Sequence, residues 1–318
     1  MEDFRPPWWL RGAHAQTVYG SLFAPTLHVE LRRERWDTPD GDFVDVDFLD
    51  GDEGAPWIHL FHGLEGSSSS GYARALMAHA RMRGWRGSVL HFRGCSGEPN
   101  RLPRAYHSGD TIEIDWVLRR LRASVGTARL CVVGVSLGGN ALAKWLGESG
   151  TDARLVVGRA ATVCAPFDLM AAGEALGRGF GLVYSRHFLG TLKKTAFAKL
   201  TRHPGLFDAG TVHRARTLRD FDNVVTAPLH GFRDTDDYWT RASAKPWLAG
   251  IAVPTLLVNA RDDPFLPESA LPTEREVSPA VKLEFTRRGG HVGFVSGPFP
   301  GNIDWLPRRI FHFFEHPE

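Results

Sequence analysis

The chain contains 318 residues, of which 43% are hydrophobic and 23% charged, as in globular proteins that bury a large core. Its 38 Lys and Arg residues nearly balance 36 Asp and Glu residues, so the net charge of +2 gives no electrostatic basis for nucleic-acid binding. The three cysteines cannot all pair and form no C-x-x-C motif, which argues against a disulfide framework or a zinc site. The N-terminal sequence Met1–Gly12 lacks the features of a signal peptide, and no apolar run is long enough to cross a membrane, so we expect a soluble cytoplasmic protein.

Two antiparallel strands are predicted near the start of the chain, followed by alternating strands and helices. Val29–Trp36 and Phe43–Phe48 flank a turn at Asp40-Gly41, and the second segment alternates Val or Phe with Asp, as in a strand with one buried face. The following strands are short apolar runs, and the segments between them show the apolar spacing of helices. The predicted strands are Trp57–Phe61, Gly87–Phe92, Arg129–Val135 and Ala153–Val163, and the predicted helices are Tyr72–Trp85, Asp110–Ser124 and Asn140–Glu148. This alternation predicts an α/β fold, a mainly parallel sheet with helices on both faces.

The strand pattern is interrupted from Pro166 to about Pro246, where the sequence favours helices and carries no strand signal. It resumes at Pro254–Ala260 and Val281–Phe285. We therefore predict a single domain over residues 1–318, with a helical cap inserted over about residues 166–246. One basic helix of this insertion has an apolar face, formed by Leu189, Leu192, Ala196 and Leu200. Such a face favours packing onto the core, and a weak contact with a lipid surface or an acyl-CoA is the alternative.

A serine between glycines marks the candidate nucleophile. Gly134-Val135-Ser136-Leu137-Gly138 matches G-x-S-x-G and lies between a predicted strand and a predicted helix. In that setting the serine occupies a strained turn with its hydroxyl exposed. The alternative is a serine that only caps the helix. A serine hydroxyl needs a base that removes its proton, and the base is usually a histidine oriented by a carboxylate.

The base and the acid are expected on loops after late strands, in the chain order serine, acid, histidine. His291 lies in a glycine-rich loop after the strand Val281–Phe285, and an exposed loop histidine without a catalytic role is the alternative. Asp262 and Asp263 both follow the strand Pro254–Ala260. The sequence Asp-Pro-x-x-Pro favours Asp263 as the acid, in which case Asp262 caps or braces the loop.

Two backbone amides are predicted to bind the oxyanion that forms during acyl transfer. The Leu137 N–H directly follows the candidate nucleophile, and the Leu64 N–H lies in the loop after the strand Trp57–Phe61. His62, at the start of this loop, is interpreted as structural rather than as a base. The four serines Ser67–Ser70 are interpreted as the end of the loop and the cap of the next helix.

Seven segments in chain order carry a resemblance to a known family. They are HAQTVYGSLF, HGLEGSSSS, HFRGCSGEPNR, YHSGDT, GVSLGGN, NARDDPF and GGHVGF. With them the chain resembles the α/β-hydrolase superfamily and, more narrowly, its YheT-like branch, over nearly its whole length. The resemblance implies an eight-stranded, mostly parallel sheet with an early antiparallel pair, and a catalytic triad of Ser136, Asp263 and His291. It also implies esterase activity on short- to medium-chain acyl esters, and some eukaryotic relatives resemble acyl-CoA:alcohol acyltransferases.

Two of these segments contain polar residues whose role the sequence leaves open. In YHSGDT, Asp110 and Glu113 have the spacing of a helix cap, and a role for His107 near the site is the alternative. In HFRGCSGEPNR, Arg93 is expected to brace a turn beside the site. Cys95 is interpreted as a small buried side chain, with a reactive thiol as the alternative.

The sequence therefore predicts a serine esterase that cleaves small-molecule acyl esters and needs no metal and no organic cofactor. An acyl-CoA:alcohol acyltransferase with the same triad and a non-catalytic binding protein with this fold are the alternatives. A serine nucleophile disfavours dehalogenase and epoxide-hydrolase chemistry, for which the resemblance to this fold implies an aspartate nucleophile. Neither a nucleic-acid partner nor a transmembrane segment is expected, and the sequence does not specify the oligomeric state.

Overall fold

A single sheet of eight strands forms the centre of the structure, a computed structural model that describes residues 3–25 and 27–316. The strands are β1 (Arg32–Asp37), β2 (Phe43–Leu49), β3 (Trp57–Phe61), β4 (Arg86–His91), β5 (Leu130–Val135), β6 (Arg159–Val163), β7 (Thr255–Ala260) and β8 (Val281–Thr286). Their order is β1-β2-β4-β3-β5-β6-β7-β8. β2 is antiparallel to both β1 and β4, and all other neighbours are parallel. The predicted eight-stranded, mostly parallel sheet with an early antiparallel pair is confirmed, while the predicted domain limits at residues 1 and 318 lie outside the described residues.

Helices cover both faces of the sheet. They are α1 (Ala13–Leu22), α2 (Gly71–Arg81), α3 (Thr111–Val125), α4 (Leu137–Ser149), α5 (Leu169–Leu176), α6 (Gly181–Arg202), α7 (Ala209–Arg214), α8 (Leu218–Phe221), α9 (Ala227–Leu229), α10 (Thr235–Ala242) and α11 (Trp305–Glu315). Helices α3 and α4 pack on one face, where Leu118 and Leu142 are fully buried. Helices α2 and α11 pack on the other face through Met77 and Phe311. Because β5, β6, β7 and β8 are parallel neighbours, the loops after their carboxyl ends meet at one edge of the sheet.

Between β6 and β7 the chain forms α5 to α10 and, within the described residues, no strand. The apolar face of α6 packs inward, with Leu189 and Ala196 buried and Leu192 beside them, against Val212 and Phe221 of the neighbouring helices. Most of this face therefore packs on the protein, as the first interpretation predicts. None of the helices in the described part of the chain is both long and apolar enough to span a bilayer.

Strand β2 differs from the predicted strand with one buried face, because all seven of its residues are buried. Asp47 accepts two hydrogen bonds from Arg33, at 2.7 and 2.9 Å, and Asp45 accepts two from Arg35, at 2.9 and 3.0 Å. A third donor, Ser68 Oγ, lies 2.6 Å from Asp47. Bidentate pairing with arginine offsets the cost of burying each carboxylate, so the acidic face of β2 packs as closely as its apolar face.

Three further features of the fold are not predicted by the sequence patterns. β6 begins only at Arg159, because the residues Gly150–Leu155 form a 3-10 turn rather than the start of a strand. Neither α1 nor α11 is among the predicted helices. In α11, Leu306, Ile310 and Phe314 are buried at i, i+4 and i+8, and this helical spacing is the signal that the sequence offers for it.

Candidate active site

Ser136 lies in the sharp turn between β5 and α4, with a backbone φ of 53° and ψ of −119°. A positive φ is uncommon for a residue with a Cβ and costs free energy that the surrounding structure must offset. The flanking glycines allow the close approach that this turn requires. A Cβ on Gly134 would lie 2.5 Å from Gly138 O, and a Cβ on Gly138 would lie 2.5 Å from the carbonyl oxygens of Phe61 and His62. The predicted strand–turn–helix setting of Ser136 is therefore present.

We expect Gly138→Ala to destabilise the fold by about 2–3 kcal/mol, because its Cβ overlaps backbone atoms that cannot move independently. Gly190→Ala in α6 is the matched control, since a Cβ there meets no atom within 4 Å. In the interior of a helix that change stabilises by roughly 0.5–1 kcal/mol. Urea unfolding of both variants measures the difference, and a Gly138→Ala protein as stable as Gly190→Ala contradicts the expected overlap.

The structure brings Ser136, His291 and Asp263 into one series of hydrogen bonds. His291 Nε2 lies 2.9 Å from Ser136 Oγ, and His291 Nδ1 lies 2.9 Å from Asp263 Oδ2. The Asp263 side chain is fully buried, and its second oxygen accepts a hydrogen bond from the Phe265 N–H at 2.8 Å. An ionised carboxylate only accepts, so Nδ1 carries the ring proton and Nε2 is left to accept from the serine hydroxyl.

Two contacts outside the triad fix His291, one at its backbone and one at its ring. The His291 backbone N–H donates to Thr17 Oγ1, on α1, at 2.9 Å. The ring itself stacks on Phe265, with the centroids 3.9 Å apart and the planes 17° from parallel. Neither residue is predicted as part of the site; Thr17 belongs to the segment HAQTVYGSLF, whose only signal in the sequence is the family resemblance.

Asp262 contacts the loop of His291 rather than its ring. Its Oδ1 accepts a hydrogen bond from the Gly290 N–H at 3.0 Å, one residue before His291. Burial raises the pKa of the Asp262 carboxyl above its ordinary value. This placement corresponds to the bracing role considered for Asp262, while the carboxylate next to the imidazole is that of Asp263.

Cys164 is a neighbour of the triad that the sequence analysis does not single out. Its backbone has a positive φ of 48°, and its buried Sγ accepts a hydrogen bond from the Val292 N–H at 3.3 Å. Burial raises the pKa of this thiol well above its ordinary value, which keeps it protonated. Together, Cys164, Asp263 and His291 offer three possible metal ligands within 4.8 Å. Both nitrogens of His291 are, however, engaged with Asp263 and Ser136, which favours proton transfer at this site over metal binding.

The amides of Leu64 and Leu137 have no hydrogen-bond partner among the described residues. Leu137 is the first residue of α4, where backbone N–H groups are free and the helix dipole favours negative charge. The Leu64 segment lies directly against the serine, since a Cβ on Gly63 would be 3.1 Å from Ser136 Cβ. Leu64, Leu137 and Ser136 line the same cavity. Two free donors therefore lie beside the candidate nucleophile.

Two cavities meet at Ser136 and His291. One has a volume of about 150 Å³ and lies beneath the helices between β6 and β7, with a mainly apolar lining that includes Leu176, Leu192 and Val225. The other is a cleft of about 520 Å³ between α1, α2 and α6, and its lining includes Ser21, Leu22, Ser69, Tyr184 and His187. An ester whose carbonyl reaches Ser136 can therefore place one side in each cavity.

The remaining polar residues that the sequence singles out lie around this site without touching the triad. Among the described residues, His107 lines the smaller cavity and accepts a hydrogen bond from the Gly109 N–H at 3.2 Å; burial lowers the pKa of His107 to about 4. Asp110 accepts a hydrogen bond from the Glu113 N–H at 3.3 Å and so caps α3, as predicted. Arg93 pairs with Glu113 and with the β1–β2 turn, which agrees with a bracing role.

Cys95 is partly buried, and its surroundings do not favour a reactive thiol. Burial is the main cause that raises the pKa of this thiol above its ordinary value. A thiolate is the reactive form of cysteine, so the interpretation as a small buried side chain is favoured.

A serine–histidine–aspartate series at the carboxyl edge of a mostly parallel, eight-stranded sheet is the arrangement found in α/β hydrolases. The chain belongs to the α/β-hydrolase family, because the family's profile, described as the alpha/beta hydrolase fold, matches residues 56–298. An Escherichia coli (strain K12) relative with the name "Putative esterase YheT" is 42% identical over 97% of this chain and 92% of its own length. The resemblance found in the sequence is thus confirmed.

Other relatives and solved structures point to the same class. Mouse "Phospholipase ABHD3" is 30% identical over 98% of this chain and 78% of its own length. The Pyrococcus furiosus esterase Pf2001 has the same fold, with a TM-score of 0.58 at 16% identity, over 93% of this chain and 97% of that one. The chain is therefore an α/β hydrolase with esterase- and lipase-like relatives.

Proposed function

We propose that the protein is a serine hydrolase of carboxylic esters, with Ser136 as nucleophile, His291 as base and Asp263 as the acid that orients it. The observation that supports this proposal is the unbroken hydrogen-bonded series of these three side chains at the junction of two cavities. A helix cap alone explains neither the positive φ of Ser136 nor the histidine nitrogen beside its hydroxyl. The same series argues against a binding protein without catalytic activity.

In the proposed reaction, Ser136 Oγ attacks the acyl carbonyl carbon while His291 Nε2 accepts the serine proton. The carbonyl electron pair moves onto oxygen, and this oxyanion accepts hydrogen bonds from the Leu64 and Leu137 amides. When the pair returns, the bond to the alkoxy group breaks and His291 gives the proton to the leaving alcohol. Water then attacks the acyl-enzyme in the same way, which releases the acid and restores Ser136. Asp263 stays ionised and holds the Nδ1–H throughout.

The helices of residues 166–246 form, in this proposal, a cap over the acyl chamber. The chamber they cover is the smaller and more apolar of the two cavities, which suits a short- to medium-chain acyl group. The larger cleft has hydroxyl and imidazole groups in its lining and suits the alcohol side of the ester. Both spaces contact Ser136. Substrates that differ in the acyl group therefore test the acyl chamber, and substrates that differ in the alcohol test the cleft.

A series of p-nitrophenyl esters from acetate to palmitate, with one leaving group throughout, measures the acyl preference. We expect kcat/KM to be highest for short and medium chains. Leu192→Trp places a larger side chain in the acyl chamber and so reduces its free volume. We expect this variant to lower kcat/KM for octanoate relative to acetate by about 10-fold or more. Ser21→Trp is the matched control: its larger side chain reduces the free volume of the cleft instead, and we expect an unchanged acyl profile. An acyl profile that Ser21→Trp changes and Leu192→Trp does not reverses the assignment of the two spaces.

Covalent labelling tests the nucleophile independently of the substrate. A fluorophosphonate probe is expected to modify the protein once, and peptide mapping is expected to place the label on Ser136. A binding protein predicts no labelling. Acyl transfer to an alcohol would use the same acyl-enzyme, and the open cleft beside Ser136 is large enough for such an acceptor. Supplying an acyl-CoA with a medium-chain alcohol, and comparing the ester formed with the acid released, distinguishes transfer from hydrolysis.

A further inference from the structure

We propose that His62, Tyr72 and Tyr106 are positioning residues that fix the peptide before Leu64, so that the Leu64 N–H faces the oxyanion. This inference rests on the proposed function, because it concerns the oxyanion of that reaction. It assigns a role to the histidine of HGLEG and to the tyrosine of YHSGDT, neither of which belongs to the hydrogen-bonded series of Ser136, His291 and Asp263. His62 begins the loop, Tyr72 reaches it from α2 and Tyr106 from the segment before α3, and one amide of the loop is left without a partner among the described residues.

His62 holds the carbonyl oxygen of Gly63. Its Nδ1 lies 2.7 Å from Gly63 O, and its Nε2 accepts a hydrogen bond from the Phe92 N–H, at the end of β4, at 3.2 Å. Since Nε2 accepts, Nδ1 carries the proton and donates it to Gly63 O. Burial lowers the pKa of His62 to about 3, so the ring stays neutral in this one tautomer over the pH range in which an esterase works.

Fixing the Gly63 oxygen also fixes the Leu64 N–H, because both belong to one planar trans peptide and point in opposite directions. Gly63 O accepts a second hydrogen bond, from the Gly66 N–H at 3.0 Å, so the carbonyl side of this peptide is doubly held. The loop approaches so closely that a Cβ on Gly66 would lie 3.1 Å from both Gly63 O and His62 Nδ1. The Leu64 N–H is thereby directed away from His62.

The two tyrosines pair the amides on either side of Leu64. Gly63 N–H donates to Tyr72 Oη at 3.0 Å, and Glu65 N–H donates to Tyr106 Oη at 2.9 Å. Tyr106 Oη in turn donates to Glu65 Oε1 at 2.8 Å. Glu65 has a φ of 55°, a conformation that an unsupported loop of non-glycine residues disfavours. The hydroxyls therefore hold a strained loop and leave, of three consecutive amides, only that of Leu64 without a partner among the described residues.

Tyr106→Phe is the main test, because it removes the hydroxyl and keeps the ring that stacks on Phe92, with centroids 5.2 Å apart. Tyr72→Phe and His62→Gln are the companion variants. Each protein is assayed with a p-nitrophenyl ester and with the thionoester that has sulfur in place of the carbonyl oxygen. Amide donors stabilise a developing oxyanion more than a developing thiolate, so the ratio of the two kcat/KM values reports on the Leu64 N–H. We expect kcat for the oxygen ester to fall roughly 10- to 100-fold with a smaller change in KM, and the oxygen-to-sulfur ratio to fall with it.

The ratio separates positioning from a merely structural effect, because a loss of folded protein lowers both rates equally. Tyr238→Phe is the matched control: it removes a buried hydroxyl that accepts a hydrogen bond from the Ser108 N–H at 2.9 Å and, among the described residues, makes no hydrogen bond to the Leu64 loop. Its oxygen-to-sulfur ratio is expected to match that of the wild type. A trifluoromethyl ketone inhibitor, which forms an oxyanion on reaction with serine, gives a second readout through a raised inhibition constant in Tyr106→Phe.

A wild-type ratio and a wild-type inhibition constant in Tyr106→Phe and Tyr72→Phe overturn the inference while leaving the esterase intact. Failure of the proposed function gives a different result, since the wild-type protein then hydrolyses neither ester and does not react with the ketone. A wild-type ratio near one, with normal hydrolysis, overturns the role of the Leu64 amide itself.

Discussion

Ser136→Ala is expected to lower kcat for p-nitrophenyl butanoate by about 10⁶-fold and to leave KM within a few fold of the wild type. The alanine methyl group keeps the sharp turn between β5 and α4 intact but supplies no atom that can form the acyl-enzyme. The rate that remains, roughly 10³–10⁴ above the uncatalysed reaction, would come from binding and from the two amide donors. Initial rates and fluorophosphonate labelling of the purified proteins measure both expectations.

Ser124→Ala is the control for this experiment. Ser124 is an exposed residue of α3 whose Oγ donates to Arg120 O at 3.1 Å, and it lines neither of the two cavities at the candidate site. Its removal is expected to change neither the rate nor the labelling. A Ser136→Ala protein that hydrolyses the ester within 10-fold of the wild-type rate would show that another group is the nucleophile.

The residues of the triad are visible in the sequence because each follows a strong local pattern. Ser136 stands between glycines that the sharp turn requires, and Asp263 and His291 each lie on a loop that follows a predicted strand. The parallel topology then places the carboxyl ends of those strands at one edge, so a prediction of strand order is already a prediction of proximity. The sequence does not separate Asp262 from Asp263 in the same way, because adjacent side chains point in different directions that depend on the loop geometry.

The contacts that Thr17 and Tyr106 make near the site are not visible in the sequence, because each one joins segments that are far apart in the chain. Thr17 reaches His291 across 274 positions, and Tyr106 reaches Glu65 across 41. No periodicity or motif encodes such a pair, since the constraint lies in the packing of two elements rather than in either segment. The burial of Asp45 is missed for a different reason: its partner Arg35 lies opposite it on the neighbouring strand, whereas alternation alone predicts an exposed carboxylate.

The two neighbouring aspartates provide the sharpest test of the acid's identity, because the same change is made one residue apart. Asp263→Asn is expected to lower kcat by about 10⁴-fold. The amide oxygen and nitrogen of asparagine can each face His291 Nδ1, and when the nitrogen does so it donates, which moves the ring proton to Nε2. The ring then cannot accept the proton of Ser136, although its position is unchanged.

Asp262→Asn is expected to lower kcat less than about 10-fold, because an asparagine oxygen can still accept the hydrogen bond from the Gly290 N–H. Measuring kcat and the urea midpoint of both variants separates chemistry from folding. Asp263→Asn should remain folded, since its side chain keeps an acceptor for the Phe265 N–H. The reverse order of losses would mean that the loop after β7 shifts by one residue during catalysis and presents Asp262 to the imidazole, which its hydrogen bond to Gly290 opposes.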